Sequence, residues 1–219
     1  MSNKDYTHIH MILDRSGSMS PLVSSVIESF NQLLSDQQKF PGKCTLTLVQ
    51  FDDRAPYEIL RDFQPIATVE PLTALQYTPR GSTPLWDAVG RGISELGSQL
   101  TKLSENERPA RVVFVIQTDG EENASREFNS VRLKEMVEHQ RNTYNWQFIF
   151  LGADQDAILQ GGRIGTYQGT SVSTLGTGLS VNKVMNYTSS KIGAYRSVDP
   201  SQGAALLDFN EEERKDIIT

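Results

Sequence analysis

The sequence predicts an α/β fold built on a mainly parallel β-sheet. Apolar runs of strand length alternate along the chain with longer segments whose apolar residues recur at helical spacing. Two of these runs, residues 7–14 and 111–118, are almost continuously apolar, which is typical of central strands covered on both faces. We therefore expect a three-layer, doubly wound, Rossmann-like architecture with helices on both faces of the sheet.

The first half of the chain is predicted to contain a strand, a helix and a β-hairpin. The strand over residues 7–14 leads into a helix over 21–39, which a Pro-Gly pair ends. Strand-like runs over 44–51 and 57–63 follow, separated by a short polar link. Such a link suits an antiparallel hairpin rather than a crossover, so we expect one antiparallel strand at the sheet edge.

The second half continues the alternation of helices and strands. A helix is predicted to begin at Pro84 with Thr83 as its N-cap, because proline is favoured at the first helical position, and to extend to about residue 103. The later elements are predicted as a strand over 111–118, a helix over 126–141, a strand over 146–151, a helix over 154–160, a short strand over 170–175 and a helix over 179–195.

The chain is predicted to form one domain over residues 4–197 with a C-terminal extension over 198–219, since no linker divides the series of elements. In the extension, Asn210 and Glu213 resemble a capping box, which predicts a short helix. Its apolar residues either dock on the domain or contact a partner: Leu206, Leu207, Phe209, Ile217 and Ile218.

Composition argues against several classes of function. With 21 Lys and Arg against 27 Asp and Glu, the net charge of −6 disfavours nucleic-acid binding. No apolar run approaches the roughly 20 residues of a membrane span. Cys44 is the single cysteine, and residues 1–6 lack a basic-then-apolar secretion signal, so we expect a reducing, cytoplasmic location.

Common catalytic signatures are absent from the sequence. No segment matches the phosphate-binding loop Gly-x-x-x-x-Gly-Lys-Ser/Thr or the dinucleotide fingerprint Gly-x-Gly-x-x-Gly. His8 and His10 fall inside the first strand and His139 falls late in a helix, away from the strand ends where catalytic sites form. We therefore expect a protein that is not an enzyme.

Five side chains with oxygen donors lie at predicted strand carboxyl ends or in a loop on the same side of the sheet: Asp14, Ser16, Ser18, Thr83 and Asp119. Loops at that edge of a parallel sheet converge, so residues distant in sequence can share one site. Two carboxylates and three hydroxyls, with no soft donor, suit Mg²⁺ or Mn²⁺. Each residue alone also has a structural interpretation, as a helix cap or a turn residue.

Three motifs, in order along the chain, resemble the metal-ion-dependent adhesion site (MIDAS) of the von Willebrand factor A (VWA) domain family. They are DRSGSM at 14–19, GSTPL at 81–85 and VIQTDG at 115–120. The likeness covers residues 7–195, and we identify the chain as similar to the intracellular bacterial or phage members of the family. It implies a six-stranded, mostly parallel sheet.

The resemblance also implies roles for the five residues. Ser16, Ser18 and Thr83 would be direct metal ligands when a partner is bound, and Asp14 and Asp119 would bind directly or through water. In adhesion-type relatives the last helix can move with metal coordination. The resemblance implies the same coupling for the predicted last helix of this chain, 179–195.

The leading hypothesis is a divalent-metal-dependent protein-binding module whose metal completes its coordination with an Asp or Glu of a partner. One alternative is a Mg²⁺-dependent hydrolase or phosphotransferase that uses Asp14 or Asp119. Another is an accessory VWA subunit of an AAA-type ATPase or chelatase. Arg15 and Arg80 flank the motifs and either steer an acidic partner or are ordinary exposed residues.

Overall fold

The computed structural model of the chain describes residues 3–153 and 157–219. Six strands form one sheet: β1 (Asn3–Asp14), β2 (Lys43–Phe51), β3 (Glu58–Pro65), β4 (Pro109–Thr118), β5 (Gln147–Ala153) and β6 (Ser171–Thr174). Their order across the sheet is β3-β2-β1-β4-β5-β6. Only the β2–β3 pair is antiparallel among these strands. The predicted six-stranded sheet with one antiparallel edge strand is therefore confirmed.

Helices cover both faces of the sheet. The described residues form α1 (Val23–Lys39), α2 (Leu85–Thr101), α3 (Ser130–Tyr144), α4 (Ala157–Arg163), α5 (Gly178–Arg196) and α6 (Glu211–Ile217). The apolar residues of α1 and α5 belong to one hydrophobic cluster, and those of α2 and α3 belong to another. The three-layer α/β architecture is thus confirmed. Part of the helix predicted over 154–160 lies outside the described residues.

The central strand β1 contributes to both layers because its side chains alternate between the faces of the sheet. Ile9, Met11 and Leu13 join the α1–α5 cluster. Ile12 joins the α2–α3 cluster, so His8, His10 and Asp14, which have the same parity, also point towards the α2 face. Asp14, the last residue of β1, therefore lies at the carboxyl edge of the sheet with its side chain on the α2 face.

The start of α3 differs from its prediction. The helix begins at Ser130, capped by the side chain of Asn129, rather than at residue 126. Residues 126–128 stay outside the helix because their backbone N–H groups donate to the carboxylate of Asp87 at 2.8 to 2.9 Å. A carboxylate on α2 therefore takes the hydrogen bonds that an earlier helical turn would have used.

The C-terminal extension packs against α5 and β6. Leu207, Phe209 and Ile217 are buried in the α1–α5 cluster. The capping box of Asn210 and Glu213 forms at the start of α6. None of the helices in the described part of the chain combines the length and apolar character needed to cross a bilayer.

Candidate metal centre

The five predicted site residues lie in three loops at the carboxyl edge of the sheet. β1 ends at Asp14, and its parallel neighbour β4 ends at Thr118. Leu13 is paired with Gln117, so the loops that follow these two strands begin side by side. The third loop approaches the same edge immediately before α2.

The hydroxyls of Ser16 and Ser18 are linked to the carboxylate of Asp119. Ser16 Oγ and Ser18 Oγ are 3.0 Å apart, and Ser18 Oγ donates to Asp119 Oδ1 over 2.7 Å. Ser16 precedes a 3-10 turn over Gly17–Leu22, but its side chain makes no capping hydrogen bond there. The two serines therefore face the acidic loop after β4 instead of capping the helix.

Gly120 marks the space on which the other donors converge. A Cβ atom at this position would lie 3.2 Å from Thr83 Oγ1, 3.5 Å from Ser18 Oγ and 3.9 Å from Asp14 Oδ2. Oxygen atoms from the other two loops thus surround a point in the loop after β4 that a side chain would fill. Glycine at this position leaves that space open.

The hydroxyl of Thr83 does not cap α2, so that prediction is wrong. Pro84 occupies the N-cap position and no side-chain capping bond from that position is present. The N–H groups of Trp86 and Asp87 instead bond to Glu122 Oε2 and Ser125 Oγ, both in the loop after β4. This leaves the Thr83 hydroxyl beside Gly120.

Asp14 is a buried carboxylate beside the other candidate donors. Its carboxylate is fully buried and accepts hydrogen bonds from Ser16 N–H at 2.7 Å and Thr118 Oγ1 at 2.6 Å. Burial raises the pKa of Asp14 to about 6, although these hydrogen bonds act in the opposite direction. A divalent cation beside the carboxylate would offset this desolvation and keep Asp14 ionised.

The chemistry of the donors fits a hard cation. Among the described residues, no group of three or more His, Cys, Asp or Glu side chains could hold a metal ion. A metal at this edge would therefore need the serine and threonine hydroxyls in addition to the two carboxylates. An all-oxygen set of this kind suits Mg²⁺ or Mn²⁺.

Arg15 is a structural residue, and the expectation of a steering or ordinary exposed role for it is wrong. It is almost fully buried, and its guanidinium pairs with Asp52 Oδ2 at 2.6 Å and with Glu58 Oε2 at 2.7 Å. Arg80 is partly exposed, but its Nε donates to the same Asp52 oxygen at 3.0 Å. Asp52 therefore joins two loops of the centre through two arginines.

Backbone hydrogen bonds join the same two loops. Gly17 N–H donates to Gly81 O at 3.0 Å, and Arg80 N–H donates to Arg15 O at 2.9 Å. The hydroxyl of Tyr77 donates to the carbonyl oxygen of Asp14. The positions of Ser16 and Ser18 relative to Thr83 are thus fixed before any ion binds.

Asn123 holds Thr83 in place, a role that the sequence did not indicate. Its Oδ1 accepts from Thr83 N–H at 2.9 Å, and its own N–H donates to Thr83 O at 3.2 Å. Glu122 also accepts from Ala124 N–H and Ser125 N–H. Glu121 is exposed, whereas Glu122 anchors the loop through these hydrogen bonds.

The histidines lie where the sequence placed them, away from the candidate centre. His8 stacks on Phe63 with ring centroids 4.3 Å apart, and His10 stacks on Phe114 at 4.6 Å. Burial lowers the pKa of His8 well below its usual value and that of His10 to about 3. Both imidazoles are therefore neutral parts of the core.

Solved structures share this fold. The chain resembles the mussel byssus proximal thread matrix protein 1 with a zinc-occupied MIDAS motif, at 15% identity and a TM-score of 0.56, over 86% of this chain and 46% of that one. It resembles the ArnB paralog VWA2 from Sulfolobus acidocaldarius at 17% identity and a TM-score of 0.53, over 87% and 46%. This chain thus spans less than half the length of these proteins.

The sequence comparisons give the family. No match was found among curated protein sequences. The model of the von Willebrand factor type A domain matches residues 8–202, which is most of the chain and includes all three loops of the candidate centre. The chain therefore belongs to the von Willebrand factor type A domain family.

Proposed function

We propose that the chain is a non-enzymatic protein-binding domain that depends on a divalent metal ion. The ion, Mg²⁺ or Mn²⁺, would be held by the five oxygen-bearing residues Asp14, Ser16, Ser18, Thr83 and Asp119. An Asp or Glu carboxylate of a partner protein would complete the coordination. The observation that carries the proposal is the convergence of these donors around Gly120.

The charge of the donor set explains why a partner's carboxylate is needed. The two aspartates formally neutralise a divalent ion, while neutral hydroxyls supply the remaining protein donors. If an aspartate binds through water, the ion stays electrophilic towards an external carboxylate. The zinc-occupied MIDAS motif of the mussel protein supports a divalent ion at this edge of the fold.

The surroundings of the centre favour binding over catalysis. A phosphotransferase would need a cationic side chain directed at the substrate phosphate. The two arginines beside the centre, Arg15 and Arg80, both pair with Asp52. His8 and His10 are buried within the sheet and are not positioned as general bases.

We also propose a cytoplasmic location. Cys44 is the single cysteine of the chain, so no intrachain disulfide supports the fold. Burial raises the pKa of Cys44 to about 11, which keeps its thiol protonated and unreactive.

Metal-dependent stabilisation tests the centre directly. We expect Mg²⁺ or Mn²⁺ to raise the Tm of the wild-type chain, since an ion at 100 times its Kd adds about 2.7 kcal/mol of stability. Asp14→Asn and Asp119→Asn should remove this shift, because each removes one of the two carboxylates. Glu121→Gln, which neutralises an exposed acid two residues after Asp119, is the matched control and should retain it. Equal shifts in all four proteins would contradict the proposal.

A turnover assay separates binding from catalysis. We expect no Mg²⁺-dependent hydrolysis of generic phosphoesters by the wild-type chain. Activity that requires Mg²⁺ and is lost in Asp119→Asn would instead assign a phosphohydrolase to the same residues.

A further inference from the structure

The most exposed aliphatic side chains of the described residues lie at the metal edge of the molecule. Those more than half exposed are Leu75 at 95%, Val131 at 68%, Leu159 at 62%, Leu179 at 61% and Leu175 at 56%. Val131, Leu159 and Leu179 lie in the first turns of α3, α4 and α5, which begin at the carboxyl edge. Leu75 lies beside Gln76, whose carbonyl oxygen accepts from Gln50 near the end of β2. Only contiguous exposed apolar residues mark an interaction surface, whereas single ones are ordinary.

Three of the exposed apolar residues are neighbours in space. Leu175, Leu179 and the 48%-exposed Ile218 belong to the β6–α5 loop, the first turn of α5 and the end of α6. The buried hydroxyl of Ser180 accepts from Leu175 N–H at 3.0 Å and donates to Ile217 O at 2.7 Å. We call these three residues the apolar rim.

The apolar rim adjoins the candidate metal centre. Thr174, which precedes Leu175, and Val181 line a small cavity together with Thr118 and Asp119. The segment that carries both leucines contains no charged residue from 171 to 182. A partner segment that extends from the metal on this side would therefore meet the two leucines of an uncharged loop.

Two glycines fix the backbone between the two leucines. Gly176 has a left-handed φ of +64°, which glycine accommodates without strain. Gly178 approaches α1 so closely that a Cβ atom would lie 2.2 Å from Ser25 Oγ. The loop is thus anchored between Leu175 and Leu179, whose side chains are 56% and 61% exposed. A preorganised apolar surface loses little conformational entropy on binding.

We propose that the apolar rim is the second half of the partner-binding surface and that it selects a protein segment with apolar side chains beside its acidic residue. The carboxylate would bind the metal, and the neighbouring apolar side chains would pack on Leu175, Leu179 and Ile218. This inference rests on the proposed metal-dependent function. It adds a sequence preference that the metal alone does not supply.

Peptide selection tests this preference and does not require the natural partner. The probes are a random decapeptide library with a fixed central Glu and a matched library with central Gln, selected on the immobilised full chain in Mn²⁺. We expect the Glu library to yield Mn²⁺-dependent binders enriched in Leu, Ile, Val or Phe on one side of the Glu. Enriched binders without apolar neighbours would overturn the inference.

Affinities of a selected peptide then locate its contacts. Fluorescence anisotropy should show about tenfold weaker binding for Leu179→Gln and for Leu175→Gln, since each loses the burial of one leucine. Ile218→Gln tests the third rim residue and should also weaken binding. Leu159→Gln is the matched control, because Leu159 is equally exposed at the same edge but lies in α4, which contacts α3 on the opposite face. It should change affinity by less than about twofold.

The outcomes separate the two proposals. Equal affinity for the wild type and the Leu175→Gln/Leu179→Gln double variant would overturn the apolar rim, while binding that is still lost with chelator and in Asp14→Asn would leave the metal-dependent function intact. Binding that survives chelation, or no enrichment of the Glu library over the Gln library, would contradict the proposed function itself. Melting curves of the variants confirm that these exposed substitutions leave the fold unchanged.

Discussion

Asp52 lies outside the five candidate donors, yet its carboxylate holds two of their loops together. Burial alone would raise its pKa, but the N–H groups of Ala55 and Arg54 and the charge of Arg15 lower the pKa below its usual value. The Asp52 carboxylate is therefore ionised and pairs with Arg15 and Arg80. The arrangement places both loops before a metal ion arrives, which limits the reorganisation that metal binding requires.

Asp52→Asn should both destabilise the fold and weaken metal binding. The variant leaves Arg15 buried with Glu58 as its remaining carboxylate partner, and breaking a buried ion pair costs about 3 to 5 kcal/mol. Urea unfolding measures the first effect, and Mn²⁺ titration measures the second. Glu58→Gln is the control: the side chain of Glu58 is 43% exposed, so its loss should cost less than about 1 kcal/mol. Comparable losses in the two variants would show that Asp52 has no special role.

The buried histidines predict acid sensitivity that is independent of the candidate metal centre. The folded-state pKa of His10 is about 3, against an ordinary value of 6.5. The unfolded chain therefore binds the proton more readily, and stability from this residue is lost as pH falls below 6.5. Between that pH and about pH 5 the loss is about 2 kcal/mol for one histidine. Thr45, Tyr57 and Phe114 contact the two imidazoles without supplying a carboxylate.

His10→Leu should reduce the fall in stability below pH 6.5, here called the acid limb, because the variant has no group to protonate at that position. Urea midpoints measured from neutral to mildly acidic pH give the comparison, and the difference from the wild type cancels the contributions of other titrating groups. His139→Leu, at an exposed position on α3, is the control for losing a histidine outside the core. An unchanged limb in His10→Leu would show that His10 does not remain neutral in the folded core.

At the scale of elements, the sequence predicts boundaries that local residues set better than boundaries that distant residues set. A strand such as β4 is specified by its own apolar residues, Val112 to Ile116, and was predicted to within two residues of its start. The start of α3 depends on Asp87, which lies 43 positions before Ser130 and accepts three N–H groups of the intervening loop. A local pattern cannot reveal such a distant acceptor, which is why this boundary was wrong.

The candidate centre shows the same division. Its candidate donors could be predicted because each lies at the end of a strand or shortly before a helix. The residues that position these donors could not be predicted, because their partners are distant in sequence. Asn123 contacts Thr83 across 40 positions. Asp52 and Tyr77 contact the first loop across 37 and 63 positions. No local signature accompanies a residue whose partner is set by the tertiary fold.

The loop after β4 depends on the first turn of α2, and Asp87→Asn tests that dependence. An amide can still accept from Glu127 and Phe128, but its NH₂ group would oppose the N–H of Arg126. We expect a loss of about 2 to 3 kcal/mol in stability, since hydrogen bonds to a charged acceptor are replaced or lost. Mn²⁺ affinity should fall as well, because this loop carries Asp119 and Asn123. Glu95→Gln, on the exposed side of the same helix, should change neither quantity. Unchanged metal binding in Asp87→Asn would show that the loop is positioned from elsewhere.

At the scale of the whole molecule, three arginines connect the C-terminal region to the rest of the chain by donating to backbone carbonyls. Arg111 on β4 donates to the carbonyls of Lys4 and Val198. Arg196 donates to the carbonyls of residues 37, 40 and 41 at the end of α1. Arg214 on α6 donates to those of residues 168, 169, 171 and 209. Because the acceptors are neutral carbonyls, the stability that these contacts contribute should depend less on salt than the stability contributed by exposed ion pairs.

Arg214→Gln should destabilise the chain by about 2 to 4 kcal/mol, because it removes several charge-assisted hydrogen bonds between α6 and the start of β6. The loss should be nearly the same at about 0.05 M and about 0.5 M NaCl, since partly buried interactions with neutral acceptors are weakly screened. Lys183→Gln provides the contrast at the same interface. Lys183 pairs with Asp216 at 3.1 Å, with side chains 26% and 47% exposed, so its loss should cost less than about 1 kcal/mol and should shrink further in high salt. Urea unfolding of both variants at the two salt concentrations measures the difference. A strongly salt-dependent loss in Arg214→Gln would mean that long-range charge, rather than the carbonyl contacts, fastens α6 to the domain.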